Sequence, residues 1–92
     1  MEASIDVKIP NLLGFHARPA AEFVKLANTF SSEIWVSKEG LDVSGKSIMG
    51  VMMLAAECGS TITIRAAGAD AADAVEALRV LVAGGFGEEM AR

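Results

Sequence analysis

His16 is the only histidine of the chain, and it stands two residues before Arg18 and three before Pro19 in the stretch GFHARPAAEF, residues 14–23. An imidazole beside a guanidinium can take up and hand on an anionic group. The ring supplies a nucleophilic nitrogen, and the planar fork of Arg18 donors fits phosphate oxygens. Gly14 permits tight or positive-φ backbone just ahead of the ring. Pro19 fits only the first turn of a helix, where its missing N–H is no loss. The residue before a proline resists α geometry, so a helix start at Arg18 or Pro19 stays open; with His16 as N-cap, the reading preferred here, Pro19 still falls in the first turn. Either start leaves unpaired amides and the positive end of the helix dipole beside the ring, which favours an anion there. The same field disfavours imidazolium, so a neutral, nucleophilic ring is expected at pH 7. No acid occurs from residue 7 to residue 21. Helix capping alone also accounts for His16, with Arg18 as a solvated charge, and these residues leave both readings open.

A second stretch, GKSIMGVMML at residues 45–54, places Ser47 at another helix start, where a serine N-cap is typically worth about 1 kcal/mol. Ile48, Met49, Val51, Met52, Met53 and Leu54 are apolar around nearly the whole circumference. One face of so short a helix enters the core, so the rest is expected at the surface. Exposed methionines form adaptable contact surfaces, and apolar patches mark partner sites. A homodimer would bury the same patch equally well. No acid occurs from residue 43 to residue 56 either.

These segments must be positioned by a scaffold, and hydrophobic periodicity outlines it. Residues 3–9 alternate, with Ile5, Val7 and Ile9 on one face and Ser4, Asp6 and Lys8 on the other, which predicts a half-buried strand. From about residue 17 a helical stripe takes over: Ala20, Phe23, Val24, Ala27 and Phe30. Residues 33–38 alternate with Ile34 and Val36 inward and Glu33, Trp35 and Ser37 outward. A turn at Lys38-Glu39-Gly40 and a short strand through Leu41 and Val43 complete a hairpin. STITIRA gives a fourth strand, Ile62 and Ile64 in and Thr61, Thr63 and Arg65 out. The last helix opens at Asp70 as N-cap with Asp73 in its first turn, both carboxylates suiting the positive helix end. Its core stripe is Ala71, Ala74, Val75, Leu78, Leu81 and Val82, and Gly84-Gly85 should end it and leave a frayed acidic tail. The order is βαββαβα. Each strand has one apolar face, so three helices should cover one side of a single, mainly antiparallel sheet. Trp35, on the open side, is read as packing over the sheet surface.

Composition excludes several classes. Ninety-two residues, 52% hydrophobic with 9 glycines and 2 prolines, make one domain spanning residues 1–92. The net charge of −4 argues against nucleic acid as a partner, and a sheet bearing Trp35 without an aromatic cluster argues against RNA. One Cys (Cys58) and one His give no internal disulfide and too few ligands for a tetrahedral metal site. The start MEASIDVKIP has neither a basic region nor an apolar run, so no secretion signal is expected, and no apolar run approaches the ~20 residues of a membrane span.

Taken together, NLLGFHARPAA and GKSIMGVMML, some thirty residues apart in a chain of this length, resemble the histidine and serine motifs of the HPr family, the phosphocarriers of the phosphoenolpyruvate-dependent phosphotransferase system. The resemblance covers the whole chain and agrees with the βαββαβα order. It implies an α+β fold, the HPr-like open-faced β-sandwich, with four antiparallel strands in the order 1-4-2-3 covered on one face by three helices; local reasoning does not yield that strand order. It implies that His16 accepts a phosphoryl group on Nδ1 from phosphorylated Enzyme I and passes it to IIA-type proteins. Arg18 and the helix-start amides would hold the group, and Ser47 would be the regulatory site of an HPr kinase/phosphorylase. Ile48, Met49 and Met52 match the family's apolar docking surface, with Lys46 beside them. Phe15 stands where a smaller aliphatic side chain is common, which would enlarge that surface. The resemblance further implies a cytoplasmic monomer that carries a phosphoryl group and is not an enzyme, with no cofactor. The family also contains a nitrogen-branch carrier and a regulatory relative that lacks the histidine, and His16 argues against the latter. The competing class is a binding module that uses the methionine patch without phosphotransfer.

Overall fold

A computed structural model describes residues 1–90 of the chain. Its elements are β1 (Glu2–Lys8), α1 (Ala17–Ala27), β2 (Glu33–Lys38), β3 (Leu41–Ser44), α2 (Ile48–Met53), β4 (Thr61–Ala67) and α3 (Ala71–Ala83), followed by a 3-10 turn at Gly85–Gly87. The four strands form one antiparallel sheet in the order β1-β4-β2-β3. The expected α+β architecture and strand order are therefore those observed. The first strand lies one residue earlier than read from its alternation, and Ile9 follows it as a fully buried residue.

Period-2 alternation decides which face of the sheet is covered. Ile34, Val36, Ile62, Ile64 and Ala66 point into the core and are buried, whereas Thr61, Thr63 and Trp35 lie on the other side. α3 covers β1 and β4, and α1 lies between α3 and α2. Phe23, Ala20 and Ala27 of α1 meet Leu78, Val82 and Ala74 of α3 in one buried cluster. Complete burial of a ring such as Phe23 contributes roughly 2–3 kcal/mol. Phe30 and Leu81, read as part of the helical stripes, are only half-buried, and α1 ends at Ala27 before Phe30 is reached. On the open face Trp35 pairs with Arg65 across β2 and β4, the guanidinium carbon 4.7 Å from the ring centroid. A surface-packing role for Trp35 is the one the fold gives it.

The helix starts differ in how they are capped. Ser47 caps α2, its Oγ accepting from the Gly50 N–H at 3.0 Å. Asp70 occupies the N-cap position of α3, but its carboxylate makes no capping bond there. It accepts instead from the Ser31 and Ser32 N–H groups, each at 2.9 Å, and from the Ser32 hydroxyl. Asp70 thus ties the α1–β2 loop to α3, a role that its local sequence conceals. The Ser32 hydroxyl and the Ser31 amide, against a smaller opposing effect of burial, hold its carboxyl down at about 2.

The largest departure lies beyond α3. Gly84 and Gly85 do end the helix, but the chain from there to Met90 is not frayed; the last two residues of the expected tail lie outside the described residues. It turns sharply, with Gly85 and Phe86 at φ +67° and +58°, and buries the Phe86 side chain. The Leu12 N–H donates to Glu89 O at 3.0 Å, and Asn11 and Met90 form an isolated antiparallel bridge. The C-terminal segment is pinned against the loop that carries the histidine.

Candidate functional site

His16 stands at the N-cap of α1 in extended backbone, with φ −81° and ψ −172°. This is the preferred helix start, although the imidazole itself makes no capping bond. As the first two helical residues, Ala17 and Arg18 have N–H groups without an intrahelical acceptor. Gly14 supplies the reversal that brings the chain into the helix: its φ is +62°, and a Cβ there would meet Ala56 O at 2.4 Å. The Phe15 N–H donates to that same carbonyl at 2.8 Å, fastening the histidine loop to the chain leaving α2.

The acid-free surroundings read along residues 7–21 do not hold in space. Glu88, 72 residues further on, lies with Oε2 at 2.8 Å and Oε1 at 3.0 Å from His16 Nε2. The Glu88 side chain is 15% exposed against 37% for His16, so the carboxylate sits beneath the ring's outer edge. Arg18 converges on the same group: Nε donates to Glu88 Oε2 at 3.1 Å and Nη2 lies 2.9 Å from it. Arg18 Nη2 also donates to Phe86 O at 2.8 Å, and Nη1 to Glu22 Oε1 at 2.7 Å. Asn11, fully buried, donates from Nδ2 to Glu88 Oε1 and to Gly14 O, both at 3.0 Å. Burial raises the Glu88 carboxyl, but the hydrogen bonds from His16, Asn11 and Arg18 outweigh it and leave the group below the usual glutamate range. Among the described residues no hydrogen bond reaches His16 Nδ1.

The second motif forms a surface rather than a pocket. Ile48, Met49, Met52 and Met53 are exposed, Met49 by 76%, while Val51 and Leu54 of the same run are buried. Leu12 and Leu13 are exposed as well, and with Glu88 and Glu89 they line an open cleft of about 420 Å³ next to the histidine loop. Two expected surface residues sit otherwise. Phe15 is buried, 5% exposed, its ring edge-on to Phe23 at 5.5 Å and tilted against Phe86 at 5.6 Å. The expectation that it enlarges the docking surface is corrected: a large ring at this position fills the gap between α1 and the returning tail. Lys46 is half-buried and donates from Nζ to Phe30 O at 2.7 Å, which places it at the C-terminal end of α1.

That contact places the start of the second motif near the chain that leaves α1. Ser47 begins α2 near the end of α1 marked by Phe30, whereas Ala56, beyond the far end of α2, meets Phe15. His16 and Ser47 therefore lie toward opposite ends of α1, a helix of 11 residues and so roughly 16 Å long at 1.5 Å per residue.

Asn11, Leu12, Leu13, Phe86 and Glu88 were not singled out from the sequence. Read from the sequence, Gly84-Gly85 is a helix end only; the glycines on either side of Phe86 permit the reversal seen here, but no local pattern says which surface a reversed tail will meet. Among the described residues no cluster of three His, Cys, Asp or Glu side chains is placed to hold a metal ion, and no helix is long and apolar enough to cross a membrane.

A family model described as "PTS HPr component phosphorylation site" matches residues 3–84. A phosphocarrier protein HPr of Neisseria meningitidis serogroup A is 50% identical over 82 residues, covering 89% of this chain and 92% of the relative. An HPr-like protein Crh of Halalkalibacterium halodurans is 50% identical over 78 residues, covering 85% and 90%. A crystal structure of HPr from Thermoanaerobacter tengcongensis superposes with a TM-score of 0.91 at 44% identity, covering 96% of this chain and 99% of that one.

Proposed function

Because the chain belongs to the HPr family of phosphotransferase-system phosphocarriers, which are carriers and not enzymes, we propose that it accepts a phosphoryl group from phosphorylated Enzyme I on His16 Nδ1 and delivers it to IIA-type proteins. One observation carries this reading: among the described residues the ring has a single nitrogen without a hydrogen-bond partner, Nδ1, at a helix start beside a guanidinium. A neutral imidazole whose Nε2 bears the proton keeps its lone pair on Nδ1. As the N–P bond forms there, the bond from phosphorus to the donor breaks and its electron pair leaves with the donor.

The Ala17 and Arg18 amides and the helix dipole stabilise the incoming dianion. Arg18 adds its fork after exchanging Glu22 for a phosphate oxygen, an exchange between two anions at an exposed site that costs little. A carrier must release what it accepts, so modest stabilisation on an open surface suits the task. The partner completes the transition-state surroundings. Ile48, Met49 and Met52, together with Leu12 and Leu13, form the apolar surface on which Enzyme I and IIA-type proteins dock.

Ser47 is the regulatory site of an HPr kinase/phosphorylase. A phosphate there adds about −1.5 to −2 charge at a helix N-terminus, where it is locally favourable. From the other end of α1, whose length of roughly 16 Å exceeds the ~8 Å Debye length at physiological ionic strength, it acts on docking rather than on the ring. The protein works as a cytoplasmic monomer.

The test is incubation with phosphoenolpyruvate and Enzyme I, followed by a search for an acid-labile phosphoryl adduct. The adduct is expected in the native chain and absent from His16→Ala. Its absence from the native chain would instead favour a binding module without phosphotransfer. Transfer only from a nitrogen-branch Enzyme I would assign the chain to that branch.

A further inference from the structure

We infer that Lys38 is a positioning residue for the docking surface: from the end of β2, its ammonium holds the C-terminal end of α2, the helix that presents Ile48, Met49 and Met52. The inference rests on the carrier reading for what docks there, not for the contact itself. Lys38 Nζ donates to Leu54 O at 3.3 Å and to Ala55 O at 3.2 Å. Both carbonyls lie just past Met53, the last residue of α2, where a helix leaves acceptors that its own amides do not reach. Among the described residues no backbone amide donates to either carbonyl.

The charge of Lys38 is directed at this helix end. Among the described residues it makes no ion pair, and α2 has no basic residue in its own last turn. The cation that suits the negative end of the helix therefore comes from another element. A helix of 6 residues is too short to hold itself by its own hydrogen bonds, so α2 depends on what grips its ends. Ser47 grips the first through the Gly50 N–H, and Lys38 grips the second.

The backbone at that second end is strained. Ala55 has φ +49°, a left-handed conformation that helix ends usually give to glycine. An alanine stays there only where its surroundings hold it, and Lys38 bonds the carbonyl of this residue. The next carbonyl, Ala56 O, accepts from the Phe15 N–H at 2.8 Å. Lys38 thus fixes α2 against the loop that carries His16. The apolar side chains on which a partner lands and the ring it must reach keep one spacing. A loosened α2 would have to be ordered at each encounter, which weakens binding and leaves the chemical step unchanged.

The experiment uses the full chain with Lys38→Met, which keeps an apolar stem and removes the charge, and with Lys38→Arg, whose guanidinium can donate to two carbonyls. Amide resonances read the contact. The Ala55 and Ala56 amides share peptide groups with the two carbonyls, and the Phe15 amide reports whether the effect reaches the histidine loop. Lys38→Met is expected to shift all three and leave the amides of α3 in place. Steady-state transfer from phosphorylated Enzyme I reads the consequence. The KM for this chain as acceptor should rise about two- to fivefold in Lys38→Met at unchanged kcat, and Lys38→Arg should restore it. A role in stability alone would lower the urea midpoint and leave KM untouched, which would overturn the inference. A raised KM with the Phe15 amide unmoved would overturn it too, because Lys38 would then meet the partner directly. If the native chain takes no phosphoryl group from Enzyme I, the carrier reading falls, and the amide resonances still decide whether Lys38 holds α2.

Discussion

Replacement of Gly14 by alanine separates two costs that the histidine loop imposes on its sequence. The native φ of +62° places an L-residue in the left-handed region, which costs roughly 1–2 kcal/mol. The added Cβ would also lie 2.4 Å from Ala56 O and 2.8 Å from Glu57 Cα. Both are backbone atoms, so no rotamer change relieves the overlap, and the loop must move away from the segment following α2. An overpacked contact of that kind costs about 1–3 kcal/mol. Against this, alanine restricts the unfolded chain and returns roughly 0.4–1 kcal/mol. Gly14→Ala should therefore lose about 2–4 kcal/mol.

Gly40 provides the control. Its φ is +84°, yet a Cβ there would meet nothing within 4 Å. Gly40→Ala should lose only the conformational part, about 1 kcal/mol or less after the unfolded-state gain. Urea unfolding of both variants measures the difference, provided the slope with denaturant is unchanged. The Gly14 carbonyl accepts from the His16 N–H at 3.0 Å, so the clash should also shift the His16 resonances and slow phosphorylation of the ring. Equal losses in the two variants would refute the argument, because the close approach to Ala56 would then contribute nothing.

Phe15→Ala should lose about 3–5 kcal/mol in urea unfolding as a buried ring, whereas Met49→Ala, exposed by 76%, should stay within about 0.5 kcal/mol of the native chain and slow only transfer between proteins. The Asp70 carboxyl lies at about 2 in the folded chain against 3.8 for an unperturbed group, so its stabilisation is complete above the upper value and disappears as pH falls toward the lower. Asp70→Asn should flatten that part of an acid-unfolding curve, and a curve of unchanged shape would show that the Ser31–Ser32 contacts contribute nothing. Ser47→Asp should leave the amide spectrum near that of the native chain and slow phosphoryl acceptance from Enzyme I; an unchanged rate would remove the regulatory role of Ser47.

Local pattern alone carried a large part of the fold. Period-2 alternation identified the strands and their inward residues, and period-3.6 stripes identified α1 and α3. Ser47 was legible as a cap because an N-cap bond spans only three residues. The same locality made the His16 helix start readable, since Gly14 and Pro19 constrain backbone within one turn of the ring. Strand order was different: alternation says which face is buried but not which neighbour pairs, and here it came from family resemblance.

What tertiary structure decided are contacts between residues far apart in sequence. Phe15 reads as an exposed departure from a motif until Phe86 returns to pack on it. Asp70 reads as a cap until the α1–β2 loop offers it three better-placed donors. Glu88 reads as part of a loose acidic tail, because its three partners Asn11, His16 and Arg18 lie at least seventy residues away along the chain. Each of these choices is a competition between a local partner and a distant one, settled by geometry that exists only once the sheet and helices have assembled. By itself the sequence determined that a histidine and an arginine share a helix start; only the folded chain decided which nitrogen of that histidine is left free.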